Sequence, residues 1–311
     1  MGLATIDYAQ SFSRFRPDIL VLLGDRFERH ATAFAALPFK IPLAHIHGGE
    51  LTQGAIDDNF RHSMTKLSHL HFVATGEYSR RVIQMGEEPW RVMNCGALSL
   101  DNLRTISLLN PPEIEARYRL RLHREPLLIT FHPVTLEFEE TAVHFQELLG
   151  AVQHFDLPVV FTFPNSDTGG RVIFSMITDF VASHSSAAFV PNLGTQGYFS
   201  FMKLAAAMVG NSSSGLIEAP VFQLPVVNVG SRQEGRVKPA NIIDVGCSTG
   251  EIIDGIKKAL EPGFRAGLRD PVNPYGSGGA SEKIVQRLKT VNLDQELLMK
   301  RFHDLPAQVS A

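Results

Sequence analysis

The sequence predicts an α/β protein with mostly parallel sheet covered on both faces, and three observations carry that reading. Short runs rich in Val, Ile and Leu alternate with helical-period segments along the whole chain. Most of those runs end in a polar or glycine-rich turn, the edge at which open α/β sheets gather their chemistry. With 311 residues, 44% of them hydrophobic, the chain has room for two ordinary domains, each with its own core.

The elements follow in order. The chain opens on a helical stretch, MGLATIDYAQSFSRF, and then runs through strands DILVLLG (18–24), IPLAHI (41–46), HLHFVAT (69–75) and RVMNCG (91–96). Segment 101–126 breaks the rhythm with Pro-Pro and a charged helix, and reads as a linker between two halves. Beyond it come PLLITF (126–131), PVVFTF (158–163), AAAMVG (205–210), PVVNVG (225–230) and NIIDVG (241–246), with helices between. A doubly wound domain normally begins with a strand, and this one begins with a helix. The expectation is that two or three βα units are missing ahead of it, the alternative being a naturally small first domain.

Composition narrows the partners. A net charge of −3 gives no electrostatic reason to expect nucleic acid or an anionic membrane. The two cysteines, Cys95 and Cys247, form no C-x-x-C pattern, and the N-terminus shows no signal segment, so the sequence reads as a reduced, cytoplasmic, soluble protein. Its apolar runs are interrupted well short of a membrane span.

Candidate chemistry collects at strand ends. GNSSSGLIEAP (210–220) places Ser212 and Ser213 where either could cap a helix and, with its free N–H groups, receive a diphosphate. Glu218 is expected a turn inside that helix, able to accept from a ribose diol; the alternative is a plain N-cap. Downstream, Arg232 and Arg236 are available to the same anion, or are solvated surface. Asp25 follows the first strand, as an acid or base or as a helix cap. His132 follows PLLITF, as a catalyst or a structural hydrogen-bonder. TFPNSDTGGR (162–171) is a polar loop at another strand end. IDDNFRH (56–62) sets Asp57, Asp58, Arg61 and His62 at a helix start, where the acids suit the positive end. In LAHIHGGE (43–50), His45 and His47 lie two apart, on one face if the strand continues, a spacing that zinc could use given further ligands.

Taken together, GDRFE, HIHGGE, IDDNFRHSMTKLSHLHF, FHPVT, PNSDTGG, GNSSSG, GSRQEGR and NPYGSGGASEKI resemble the UDP-N-acetylglucosamine 2-epimerase family, in its hydrolysing branch that supplies sialic-acid-type pathways. The resemblance covers nearly the whole chain. It implies two Rossmann-like domains facing across a cleft, the glycosyltransferase-B arrangement: 1–104 as a partial first domain, 105–285 as the UDP-binding domain, and 286–311 as a C-terminal helix packing back on the first. It implies that Ser212, Ser213 and Gly215 take the diphosphate, Glu218 the ribose, Arg232 and His132 further phosphate or sugar contacts, and the region of Tyr198 the uracil. Asp25, Arg26, His47, Glu50 and Asp57 or Asp58 would face the sugar. Family members begin with a strand and a glycine-arginine turn that touches the nucleotide, which this chain lacks. Non-hydrolysing relatives, and some hydrolysing ones, carry at the position of His47 a glutamate to which a part in catalysis is ascribed.

The activity so implied is elimination of UDP to a glycal, then addition of water with inversion at C2, giving a free N-acetylmannosamine-type sugar. It needs no metal and no redox cofactor. The substrate stays open between UDP-N-acetylglucosamine and UDP-N,N'-diacetylbacillosamine, and a homodimer is what the family suggests. The rival readings are a glycosyltransferase of the same architecture and a non-catalytic nucleotide-sugar binder.

Overall fold

A computed structural model describes residues 1–52, 56–134, 139–164, 169–269 and 272–306. The chain divides into two compact units: Met1–Thr52, Ile56–Asp101 and the residues from Tyr275 onward form the first, and Asn102–Pro274 the second.

In the first unit, α1 (Gly2–Phe15), β1 (Leu20–Leu23), α2 (Phe27–Ala36), β2 (Leu43–Ile46), α3 (Asp57–Leu67), β3 (Leu70–Val73), α4 (Gly76–Gln84) and β4 (Val92–Asn94) follow one another. The strands form a parallel sheet in the order β1-β2-β3-β4. Every residue of β2 and β3 is buried, as strands covered on both faces must be. On one face Phe12, Ala33 and Met64, from the first three helices, pack with Leu22 and Leu43. At the edge, β1 leaves Val21 and Leu23 exposed.

The second unit runs through α5 (Pro111–Tyr118), β5 (Leu127–Thr130), α6 (Thr141–Val152), β6 (Val159–Thr162), α7 (Gly170–Ser183), β7 (Ala187–Val190) and α8 (Gly194–Leu204). It continues with β8 (Ala207–Gly210), α9 (Ser214–Ile217), β9 (Val226–Val229), β10 (Ile242–Val245), α10 (Thr249–Leu260) and α11 (Pro262–Ala266). Six parallel strands take the order β10-β9-β8-β5-β6-β7. The chain winds outward from β5 in one direction, then returns to wind outward from β8 in the other. That reversal opens a crevice at the carboxyl ends of β5 and β8, where doubly wound sheets bind ligands. There Gly210 has φ +140°, and a Cβ on it would lie 2.0 Å from the Thr130 carbonyl oxygen, so only glycine fits.

Three expectations change. β7 was not foreseen, because an edge strand with three half-buried residues needs no long apolar run. Segment 101–126 is not a linker: α5, with its Asn110/Glu113 capping box, buries Ile114 in the second core, and the Tyr118 hydroxyl donates to the Leu193 carbonyl. The return to the first unit begins at Tyr275 rather than residue 286, and the helix there, α12, spans Ala280–Thr290. The carboxylate of Asp101 accepts from the N–H groups of Ala280 (2.9 Å) and Ser281 (2.6 Å), and Ala280 and Ile284 pack against Ile46, Leu70 and Phe72. A short last helix, α13, covers Gln295–Leu298.

Candidate active site

In the first unit a buried guanidinium organises the carboxyl ends of the strands. Arg61, one turn into α3 and 2% exposed, donates to Asp25 after β1, to Glu50 after β2 (3.2 Å) and to the Thr52 hydroxyl (3.0 Å). Burial would lower its pKa, but the two carboxylates hold it above its ordinary value. Asp25 is not the helix cap it could have been. Arg26 occupies the N-cap of α2, and the Asp25 carboxylate turns to Arg61 instead.

His47 extends the cluster, its Nδ1 lying 2.6 Å from Glu50 Oε1. Among the described residues five non-glycines have positive φ; Arg16, Lys40, Arg119 and Gln223 close helices, where such a conformation is ordinary, and His47, at +67°, does not. A side chain held there costs roughly 1 kcal/mol or more. The left-handed residue also ends the strand's alternation, so His45 and His47 do not share a face. His45, wholly buried in β2, directs Nε2 at the Gly24 carbonyl (2.8 Å), and burial pushes its pKa down to about 3. The two rings go separate ways, which removes the geometric basis for a shared zinc site.

Asp58 accepts from the Thr52 N–H (2.9 Å) and lies 3.5 Å from His62; burial would raise its pKa, but these partners bring it below the ordinary value. Asp57 is half-buried in the same first turn, and Arg26 is half-buried with Glu28 3.6 Å away.

At the other end of this sheet lies a second charge cluster that sequence reasoning missed. Glu87, fully buried, faces Lys66 (2.7 Å), Lys300 (2.7 Å) and His71 Nε2 (3.0 Å). Burial would raise its pKa, yet its partners hold it down at about 2. Arg91 donates to the carbonyls of Leu297 (2.8 Å) and Glu296 (2.9 Å), and the His303 N–H to Gly86 (2.9 Å), so the final segment seals this end.

In the second unit the switch-point crevice is lined by polar groups held in fixed places. Asn211, 1% exposed, pairs with the main chain of His132 in both directions, accepting at 2.7 Å and donating at 2.8 Å. Its own carbonyl accepts from Arg232 (3.2 Å) and from the buried Gln233 side chain (2.7 Å). The His132 imidazole, depressed by burial and then by Arg232 to a pKa of about 3, is neutral. The hydroxyls of Ser212 and Ser214 are 2.8 Å apart, and Ser214 lies 2.7 Å from the Tyr198 phenol. Tyr198, expected near the uracil, thus places its oxygen within the serine loop.

The helix after that loop differs from expectation. α9 has four residues, Ser213 occupies its N-cap without a side-chain cap bond, and Glu218 closes it rather than lying inside it. Gly215 donates its N–H to Ser212, and a Cβ there would lie 2.8 Å from Val226, so the glycine lets α9 pack on β9. Arg236 is half-buried nearby, its N–H 3.4 Å from the Gln233 carbonyl. Residues 165–168 of the PNSDTGG motif and Thr135 of FHPVT lie outside the described residues.

Sequence reasoning thus named the acids and His47 but gave Arg61 no role, and it passed over Thr52, Thr130 and Gln233. A basic residue in the helix that follows an acid-bearing strand end was the available signal for Arg61.

Comparison with known proteins joins the two halves of this description. The family model described as UDP-N-acetylglucosamine 2-epimerase matches residues 1–289. The chain is 40% identical over 308 residues to GDP/UDP-N,N'-diacetylbacillosamine 2-epimerase (hydrolyzing) of Campylobacter jejuni, covering 98% of this chain and 79% of that protein. It is 36% identical to UDP-N,N'-diacetylbacillosamine 2-epimerase (hydrolyzing) of Legionella pneumophila, covering 96% and 78%. The crystal structure of UDP-GlcNAc 2-epimerase from Neisseria meningitidis bound to UDP-GlcNAc shares the fold, with TM-score 0.79 and 19% identity over 93% of this chain and 80% of that one. The acid-rich strand ends of the first unit and the serine loop of the second are those of a chain that belongs to the UDP-N-acetylglucosamine 2-epimerase family of enzymes.

Proposed function

We propose that the chain is a hydrolysing 2-epimerase of a UDP-activated 2-acetamido sugar, with UDP-N,N'-diacetylbacillosamine as the substrate it takes best. The observation that carries the chemistry is the run Asp25–Arg61–Glu50–His47, in which one buried guanidinium separates two proton-transfer groups. The names of the two relatives at 40% and 36% identity favour the diacetylated sugar over N-acetylglucosamine.

In this reading the serine loop and Arg232 receive the diphosphate, with Glu218 on the ribose, and stabilise UDP as it leaves with the electrons of the C1–O bond. Asp25, paired with Arg61, takes the C2 proton as that bond breaks, leaving a C1–C2 glycal. His47 then serves the hydration. Its Nδ1–H donates to Glu50, which leaves Nε2 as the acceptor for a proton from the water that adds to C1. A proton delivered to C2 on the opposite face completes the inversion, with Asp57 the candidate donor; Asp58 holds the 52 loop. His132, held neutral by burial and by Arg232, gains a favourable partner when the diphosphate arrives. The sum is UDP-sugar plus water giving UDP plus the free 2-epimer, and the net reaction draws on no other reagent.

Proton NMR in deuterated water with each of the two UDP-sugars tests this. Free UDP together with a free 2-epimeric sugar deuterated at C2, formed faster from the diacetylated substrate, is the expected result. A sugar that remains linked to UDP would mean non-hydrolysing epimerisation. Consumption only when an acceptor alcohol is added would mean a transferase.

A further inference from the structure

The hydroxyls at the switch point of the second unit form a continuous series. Thr162 Oγ1, at the end of β6, lies 2.9 Å from Thr130 Oγ1 at the end of β5; Thr130 lies 3.2 Å from the Tyr198 phenol; Tyr198 lies 2.7 Å from Ser214, and Ser214 2.8 Å from Ser212. Each of these oxygens carries one proton and can accept from a neighbour. A series of such groups has two low-energy orders, in which all protons point one way or all point the other, and each aligned bond polarises the next.

The two ends of this series differ. Thr162 Oγ1 also lies 3.2 Å from the Ile129 carbonyl, an acceptor that can terminate the order running toward β6. In that order Ser212 turns its proton back to Ser214 and presents a lone pair outward. In the opposite order Thr162 donates to Thr130, each hydroxyl donates to the next, and Ser212 presents its proton outward. An anion beside Ser212 selects the second order, since it accepts hydrogen bonds and repels lone pairs.

We propose that Tyr198 is a positioning residue whose phenol links these hydroxyls into one switchable series, so that a diphosphate arriving at the serine loop meets donors aligned from Thr162 to Ser212. This deepens the reading that the serine loop receives UDP, and rests on it. Tyr198 suits the part: among the described residues it is the bridge between the two strand-end threonines and the two serines. Burial, together with the nearby Glu218, holds its pKa above the ordinary phenol value, so the phenol stays protonated.

The test is calorimetric titration of UDP, with uridine as the phosphate-free control, into the full chain and three variants. Tyr198→Phe removes the bridging oxygen and keeps the ring, and is expected to weaken UDP by about tenfold while uridine changes by less than about twofold. Thr162→Val, at the far end of the series, is expected to weaken UDP by roughly two- to threefold, again sparing uridine. In the double variant the series is already cut, so its affinity for UDP should equal that of Tyr198→Phe alone. Losses that multiply in the double variant, or that strike uridine equally, would overturn the proposal and leave Tyr198 a packing residue. If Tyr198→Phe does not fold, a Thr162→Val protein that binds UDP as tightly as the parent overturns it as well. A parent chain that binds no UDP would instead sink the functional reading itself.

Discussion

At the carboxyl ends of the first sheet one guanidinium, Arg61, faces two carboxylates; at the amino ends one carboxylate, Glu87, faces two lysines and a histidine. The same helix serves both, supplying Arg61 near its start and Lys66 near its end. The centres are equally buried, so burial does not tell them apart. Access does. Around Arg61 the side chains of Asp25 and His47 remain 22% and 17% exposed, whereas Glu87 and His71 are closed off entirely and the final segment is tied down beside them. Acid and base groups that reach the surface can exchange protons with a ligand; at the other end only the lysines reach it, and the carboxylate and imidazole they cover hold the fold.

That contrast predicts where function and stability part company. The largest expected effect is on turnover. Asp25→Asn should lower kcat by ~100- to 10,000-fold while costing only about 1–2 kcal/mol of stability, because Glu50 still holds the buried Arg61 and water reaches Asp25. Initial rates beside urea denaturation check this, and an Asp25→Asn protein with near-parental rates removes the residue from the scheme. Next comes Glu87→Gln, expected to cost about 3 kcal/mol of stability by leaving two lysines without their buried partner. The measurement is the shift in denaturation midpoint, and the UDP affinity proposed above should be unchanged.

Acid should act on both ends at once. His45 and His69 are held neutral, mainly by burial, with pKa values pushed down to about 3 and about 4 from 6.5. The unfolded chain therefore binds protons that the folded chain refuses. Their contribution is complete above pH 6.5 and is lost as pH falls toward those depressed values. Between about pH 7.5 and about pH 5 the unfolding free energy should fall by roughly 2–4 kcal/mol. Glu87 adds to the loss only lower, between its ordinary 4.5 and about 2. A flat profile from neutrality to about pH 5 would contradict the neutral assignment. The smallest effect should come from Lys66→Met. Lys66 is 43% exposed and Lys300 still holds Glu87, so the cost should stay below about 1 kcal/mol. Denaturation beside Glu87→Gln shows whether the carboxylate or its outer partner matters.

Legibility in the sequence followed the same divide. The buried strands of both sheets announced themselves as Val, Ile and Leu runs, and the acids at their ends were found because the chemistry of such sheets lies there. Asp25 and Glu50 needed only local reading. Arg61 needed the knowledge that a helix would bring it back over two separate strand ends. The Glu87 cluster was invisible, since Lys66 and Lys300 are 234 positions apart and no local pattern joins them. The hydroxyl series escaped for a like reason: threonines at strand ends look like ordinary β-formers until three strands and two helices align them with Tyr198 and the serines.

The discontinuity of the first unit has a further consequence on the ribosome. Its second counterpart, Asn102–Pro274, is one uninterrupted stretch and can close its six strands as soon as it emerges. The first unit is translated earlier, and Glu87 finds Lys66 and His71 within it, but Lys300 and the carbonyls of residues 296–299 that meet Arg91 come only at the end. The half that is translated first therefore completes these contacts only with residues that are translated last.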